Sequence, residues 1–333
     1  MKSRRLKQVA AVVVLATLVG VGYAYREVAE IDRALTKGPT GLFTVEKGDT
    51  AARLVESLAA EPLPGWAVRL WLRSHPELAQ IKTGTYEVKE KTPLAQTLAL
   101  FASGKEYLFH LTFVEGSRFE DWRKQLESAP YLERVMGDLN EDDLAKELGV
   151  EGGHLEGWFL PETYAYTTHS TDLAILRRAH QDMTRFLDEQ WRKRQDNLPY
   201  KTPYEALVMA SIIEKETGKP EERPRIASVF INRLRLGMKL QTDPTVIYGV
   251  KDRYDGNIRK ADLTDNNPYN TYVIDGLPPT PIAMPSKAAI EAALQPESSD
   301  YLYFVAKGGG EHYFSKSLPE HNRAVREYIL KKP

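Results

Sequence analysis

The spacing of apolar and polar positions changes several times along the chain, and each change marks an element. The first block is the simplest. "MKSRRLKQ" carries Lys2, Arg4, Arg5 and Lys7 with no acid, and Val9 to Tyr25 then run without a charge. An uncharged run of this length is at the short end of what spans a bilayer as a helix, about 17–25 residues. A cleaved signal peptide would have a shorter apolar core and a better small-residue site than Gly22-Tyr23-Ala24. An uncleaved anchor fits better. The positive flank stays inside, Tyr23 and Tyr25 lie at the outer interface, and the bulk of the chain faces out. "REVAEIDRALTKGPTG" is polar and ends in turn residues, which reads as a stalk or short helix and then a linker over 26–41.

From Leu42 the period shortens to two, then lengthens. "LFTV" alternates as a strand, Lys47-Gly48-Asp49 turns, and a helix follows with Leu54 and Leu58 on one side and Asp49 or Thr50 as its cap. A second helix, "GWAVRLWLRSHPEL", presents Trp66, Leu70 and Trp71. "KTGTYEV" is a strand, and "TPLAQTLALFASGK" is a short helix ending at Gly104. "FTVEKGDTAARL" resembles the opening of a LysM module, whose β-α-α-β fold binds glycans containing N-acetylglucosamine (GlcNAc). Two readings stay open for 42–108, a glycan-binding module or a degenerate copy serving as a spacer.

The remainder mixes both periods. "EYLFHLTFVEGSRFEDWRKQLESAPYL" predicts a strand and a helix, and "LNEDDLAKELGV" a helix capped by Asn140. "HLEGWFLPETYAYTTHST" reads as an aromatic loop surface. A long amphipathic helix covers "LAILRRAHQDMTRFLDEQWRKRQ". Further helices cover Glu205–Lys215 and "RPRIASVFINRLRLGM", the latter capped by Gly237. Near the C-terminus "YLYFVAKGGGEHYFSK" is a hairpin turning at Gly308-Gly309-Gly310.

Composition narrows the chemistry. The net charge of −1 offers no basic excess for nucleic acid. With no cysteine there is no thiol nucleophile, disulfide framework or Cys-ligated zinc. The seven histidines are scattered singly, no phosphate-cradling or nucleophile-elbow motif occurs, and no cofactor is implied. Carboxylates, amides and aromatics remain. That inventory suits glycan chemistry, in which sugars lie on ring faces and an acid protonates the glycosidic oxygen.

The acid is sought in "ASIIEKETGKP". Met209, Ile212, Ile213 and Glu216 fall at i, i+3, i+4 and i+7, whereas Glu214 follows the smaller side face of Leu207, Ala210 and Ser211. The two carboxylates are about 200° apart on an ideal helix and cannot act as a close pair. A carboxyl on the bulky face is desolvated, which raises its pKa as a general acid requires. The alternative is a solvated Glu216 beyond the helix end at Gly218-Lys219-Pro220. "MKLQTDPTVIYGV" and "DNNPYNTYVIDGLPPTPIAMPS" supply amide- and tyrosine-rich loops, stiffened by proline, of the kind a polysaccharide groove uses.

"EGWFLPETY", "MASIIEKET", "RIASVFINRLRLGMKLQTDPTVIYG" and "YNTYVIDGLPPTPIAMPS" together resemble the YceG-like (MltG) family of endolytic murein transglycosylases, over nearly the whole chain. The resemblance implies an α+β protein. It has a cytoplasmic tail and transmembrane anchor (1–25), a linker (26–41), a LysM-like module (42–108) and a larger mixed α/β catalytic domain (109–333). It implies a single-pass protein of the inner membrane whose periplasmic domain cuts nascent peptidoglycan strands near the synthases. The second glutamate of Glu-Lys-Glu-Thr, the family's acid, lands on Glu216. Gln241 and Asn270 are candidates to steady charge at the reacting carbon, with Asp243 and Tyr272 as further groove residues. A hydrolase of lysozyme type would need a second carboxylate. Glu214, Glu162 and Asp243 are the candidates for it. A non-catalytic wall-binding scaffold is the other rival.

Overall fold

The computed structural model describes residues 2–137 and 139–330. They form two compact units. One runs to Phe109 and takes in Ala165–His169; the other comprises His110–Tyr164 and the chain from Ser170 onward.

In the first unit a single helix, α1 (Lys2–Arg33), contains the uncharged run. From Arg4 to Arg33 it is long and apolar enough to cross a membrane, and its apolar stretch has a mean hydropathy of 1.8. The stretch read as a stalk or short helix and then a linker is helical in its first half, because α1 continues through it. Ile31 is fully buried, and Trp71 Nε1 donates to Asp32 Oδ1 at 2.7 Å, so packing holds these turns helical. The chain then enters β1 (Gly41–Val45), α2 (Ala51–Leu58), α3 (Gly65–Ser74), β2 (Gly84–Val88) and α4 (Leu94–Ser103). β1 and β2 pair antiparallel with Phe43 opposite Tyr86. Thr50 caps α2, accepting from Arg53 N. The core gathers Val45, Leu54, Val55, Trp71, Tyr86 and Phe101. Trp66 and Leu70, expected beside Trp71, are instead 40% and 45% exposed. α3 buries Ala67, Val68 and Trp71, and that leaves Trp66 on the far side, its ring 6.2 Å from Tyr23.

The second unit is mostly helical. β3 (Phe109–Thr112) pairs with β4 (Thr163–Tyr166), a short strand inside the segment read as loop. Between them lie α5 (Phe119–Ser128) and α6 (Glu141–Leu148), the latter capped by Asn140. α7 (Asp172–Arg192), α8 (Pro203–Glu216), α9 (Arg223–Arg235), α10 (Asp243–Gly249) and α11 (Lys287–Leu294) follow. A hairpin of β5 (Tyr303–Gly308) and β6 (Glu311–Ser315) and then α12 (Leu318–Val325) complete it. Gly308, Gly309 and Gly310 all take positive φ, which is why three glycines stand at that turn.

α8 is the centre of this unit. Thr202 caps it and Pro203 opens it. Every residue from Ala206 to Ile213 is buried, so the helix is enclosed on all faces and the expected division into a bulky and a small face does not decide what is covered. α11, which buries Ala289, Ile290, Ala292, Ala293 and Leu294, packs against it. α10 and α11 both lie within or beside the turn-rich segments read as loops.

Candidate active site

Glu216 is the last residue of α8, and Thr217 beyond it is already extended. The residue is only partly covered, while its carboxyl sits in a poorly solvated corner. Burial is the largest cause that pushes the carboxyl pKa up, to about 7, and the nearby charge of Asp243 adds to it. A hydrogen bond from Thr242 and the positive charge of Arg233 pull the other way. Thr242 Oγ1 donates to Glu216 Oε1. Among the described residues, Oε2 has no hydrogen-bond donor from the protein, so a proton carried there faces outward from the Thr242 contact. The sequence candidate Glu216 therefore stands where a general acid for neutral pH needs to stand.

The turn that supplies Thr242 is built with care. Thr242 occupies the N-cap position of α10, yet its side chain makes no cap hydrogen bond because the hydroxyl points to Glu216 instead. Its backbone is gripped from both sides. Thr242 N donates to Thr271 Oγ1 at 3.0 Å, Thr245 Oγ1 donates to Thr242 O at 2.7 Å, and Thr245 and Thr271 share a hydrogen bond of 2.8 Å. All three threonines are buried. Gln241, just before, takes φ +51, a left-handed conformation unusual for a side-chain-bearing residue, and its N–H donates to Thr271 O at 3.1 Å. Arg233 on α9 secures the same turn, donating to the carbonyls of Leu240 at 2.8 Å and Lys239 at 3.2 Å and to Leu302 at 2.7 Å. Thr242, Thr271 and Arg233 escaped the list of candidates. A Thr-Asp-Pro helix start marks the turn, but no sequence cue reveals that the cap hydroxyl is diverted.

The other candidates separate. Asp243 is exposed beside Thr242, and Tyr272 Oη donates to its Oδ1 at 2.7 Å. Burial and this carboxylate together raise the Tyr272 pKa. Gln241 is exposed, with Oε1 3.5 Å from Arg233 Nη1. Asn270 is different. It is 1% exposed, its amide donates to the carbonyls of Asp262 at 3.1 Å and Asp265 at 2.7 Å, and its oxygen accepts from Tyr272 N at 3.1 Å. Its polar atoms are engaged within its own loop, so it shapes the loop and does not face a ligand.

Glu214 has the opposite setting to Glu216. Its side chain is 6% exposed, and Arg223 Nη2 donates to Oε1 at 3.2 Å. Oε2 accepts from Ser286 N at 2.9 Å and from the Ser286 hydroxyl. Ser286 is also the N-cap of α11, accepting from Ala289 N at 3.2 Å. Glu214 thus fastens α9 and α11 to α8. Glu162 is exposed and paired with Lys287.

One further acid went unremarked. Glu156, in "EGWFLPETY", is 7% exposed, and burial pushes its pKa to about 7. Its oxygens accept from Phe119 N at 3.0 Å and Tyr248 Oη at 3.2 Å, which ties the start of α5 to α10. Two adjoining clefts share Tyr248 and Lys251. One, of about 340 Å³, also meets Lys215 and Pro244, the neighbours in sequence of Glu216 and Asp243. The other, of about 290 Å³, is lined by Glu156, Tyr269 and Asn267. A larger depression, of about 560 Å³, lies along α7 alone and holds none of these acids.

Comparison with known proteins accords with this arrangement. The model of the YceG-like family matches residues 43–327. The endolytic murein transglycosylase of Bacillus subtilis (strain 168) is 34% identical over 268 residues, 75% of this chain and 74% of that protein. The endolytic murein transglycosylase of Streptococcus pneumoniae serotype 2 (strain D39) is 35% identical over 185 residues, 54% of this chain and 33% of that longer protein. A 2.6 Å crystal structure of a YceG-like protein from Listeria monocytogenes superposes with a TM-score of 0.53 at 27% identity, covering 86% of this chain and 99% of that one. The chain belongs to the YceG-like family.

Proposed function

We propose that the protein is an endolytic murein transglycosylase that cuts the bond between N-acetylmuramic acid (MurNAc) and GlcNAc in nascent strands and leaves 1,6-anhydroMurNAc ends. The observation that carries this reading is a single carboxyl, Glu216, held near pKa 7 with one oxygen bound by Thr242 and the other free. The protonated carboxyl donates from Oε2 to the leaving GlcNAc oxygen as the C1–O bond breaks. The carboxylate then takes the proton of the C6 hydroxyl of the same MurNAc, whose oxygen bonds to C1 and closes the anhydro ring. No water is consumed. The internal nucleophile has the advantage of an intramolecular reaction, and one carboxyl serves in both steps. Gln241 is taken as the amide that steadies positive charge at C1, since that of Asn270 is engaged elsewhere. Asp243 and Tyr272 border the groove as a hydrogen-bonded pair.

A lysozyme-type hydrolysis needs a second carboxylate. Glu214 and Glu162 are each paired with a cation, which favours the single-acid route, and Asp243 is the remaining candidate. By this reading α1 anchors the enzyme in the inner membrane with Lys2, Arg4, Arg5 and Lys7 on the cytoplasmic side and the catalytic unit in the periplasm. There it works beside the synthases and limits strand length. The strand-helix-helix-strand unit is taken as a LysM-like contact for glycan.

The test is to incubate the full-length protein in detergent with uncrosslinked polymeric glycan and to weigh the products, with Glu216→Gln in parallel. Anhydro ends from the wild type alone are expected. Ends heavier by one water would replace this reading with hydrolysis.

A further inference from the structure

The 340 Å³ cleft that meets Lys215, the residue before Glu216, has a lining that a neutral sugar does not call for. Arg118, Lys215 and Lys251 all meet it, against one carboxylate, Asp121. Asp121 already accepts from Arg118 N at 3.1 Å, at the start of α5. The cations are not used up by the fold. Lys215 Nζ gives one hydrogen bond, to Gly116 O at 3.0 Å, which fixes its direction and leaves its other protons available. Lys251 Nζ rests over the Tyr248 ring at 5.0 Å, and the Arg118 guanidinium has no hydrogen-bond acceptor among the described residues. Glu120 and Glu156 act on Arg118 and Lys251 from nearby, so an anion that enters competes with these carboxylates for cations whose hydrogen-bond donors are still open. Ile247, Ile282 and Tyr254 supply apolar wall between them.

The cleft's lining links it to the Glu216 turn through the chain. Lys215 immediately precedes Glu216 on α8, and Pro244 lies two residues after Thr242. A MurNAc whose C1 sits at Glu216 projects its 3-O-lactyl arm to the side. That arm is the anionic part of an otherwise uncharged glycan. It ends in a free carboxylate when bare, and in the several carboxylates of the stem peptide when substituted. We propose that this cleft is a subsite for the muramyl arm, with Arg118, Lys215 and Lys251 holding stem-peptide carboxylates while the scissile bond lies at Glu216. The proposal rests on the transglycosylase reading for its substrate. It makes the enzyme a reader of peptide-bearing strands, and it places peptide removal after this cut.

The test measures binding and cleavage separately with the full-length protein in detergent. Binding uses Glu216→Gln and three probes of equal length: uncrosslinked strands with stem peptides, the same strands stripped by an amidase, and a chitooligosaccharide without carboxylates. Peptide-bearing strands should bind about tenfold tighter than the chitooligosaccharide at low salt, as expected for two or three charge-assisted contacts. The preference should shrink in about 0.5 M salt, where screening is short-ranged. Adding Arg118→Gln and Lys251→Gln together should reduce the preference to about twofold or less, and Lys251→Gln alone should give an intermediate value if the double variant folds poorly. Lys193→Gln, which removes an exposed charge paired with Glu189 on α7, is the control. Stripped strands that bind as tightly as substituted ones overturn the stem-peptide assignment and leave only the lactyl carboxylate; stripped strands that bind like the chitooligosaccharide support it. Equal binding of all three probes by the parent, or an equal loss on all three in the double variant, overturns the proposal. Wild-type protein that discriminates the probes but cuts none would keep the subsite and remove the catalytic reading.

Discussion

Glu214 and Glu216 stand two residues apart on one helix, and their surroundings could hardly differ more. Glu214 is deeply buried and meets a guanidinium, a backbone N–H and a hydroxyl. Glu216 is likewise partly covered as a residue, yet its carboxyl meets one neutral hydroxyl and its pKa is pushed to about 7. Burial alone does not make a catalytic acid. A carboxylate removed from water but given three donors becomes a structural rivet. One removed from water and given a single donor keeps its proton near neutrality and can part with it.

The sharpest way to break this comparison is to neutralise each glutamate in turn. Glu216→Gln should lower kcat by about a thousandfold, the middle of the range for loss of a general acid–base. It should not cost stability. Glu216 in the fold holds its proton up to about pH 7, whereas in the unfolded chain it ionises near its ordinary value of 4.5. The folded state therefore binds the extra proton between those limits, and wild-type stability falls as pH rises through them. The glutamine variant lacks that slope and should be the more stable protein at pH 8, as urea titrations at two pH values would reveal. A variant that unfolds more easily at both would make Glu216 a second rivet.

Glu214→Gln should do the reverse. Removing one partner of a buried pair leaves Arg223 without its counter-charge, a loss of roughly 3 kcal/mol, read from urea midpoints. The protein that remains folded should keep kcat within about fivefold, since no reacting atom is touched. A thousandfold loss of kcat with unchanged stability would instead make Glu214 the second carboxylate of a hydrolase.

The sequence carried much of the frame and less of the site. The helix caps at Thr50 and Asn140 and the glycine turn at 308–310 were legible because local chemistry dictates them. Glu216 was singled out as the polar end of an apolar stripe, a division that the all-round burial of α8 removes, and the family resemblance decided between the two open readings. What stayed hidden depends on residues far apart in the chain. Ser286 reaches Glu214 across 72 positions and Thr242 reaches Glu216 across 26. Asn270 looked like a ligand because amide-rich loops often bind sugars, but an amide serves equally to close its own loop, and only the carbonyls of Asp262 and Asp265 tell which. Trp66 and Trp71 are both large and apolar; packing against Asp32 selects Trp71 for the interior.

Thr242→Val probes the one donor that Glu216 has. The hydroxyl favours the carboxylate, so its loss should raise the Glu216 pKa and move the alkaline limb of kcat/KM above its wild-type position near pH 7. The rate should fall by about tenfold, because the carboxyl loses the contact that fixes its free oxygen. Thr242→Ser should restore both the limb and the rate. Lowered activity with an unmoved limb would mean that the threonine matters only for the turn.

Asp243→Asn produces the smallest shift, and it has the opposite sign. The first step requires protonated Glu216, so kcat/KM falls as pH rises through about 7. The negative charge of Asp243 helps to hold that proton; without it the Glu216 pKa drops and the alkaline limb moves down, by less than one unit for an exposed charge. Thr242→Val and Asp243→Asn should therefore displace the same limb in opposite directions, a pattern that a general loosening of the turn cannot produce. Tyr272→Phe serves as a control, because it removes the hydroxyl from Asp243 but leaves the charge in place. The same variant also decides the chemistry. In the single-acid route Asp243 tunes Glu216 and touches no reacting atom, so activity at pH 6 should stay within about threefold of wild type. If Asp243→Asn silences the enzyme as fully as Glu216→Gln at every pH, Asp243 activates a water or attacks C1 itself, and the products must then carry reducing ends in place of anhydro ones.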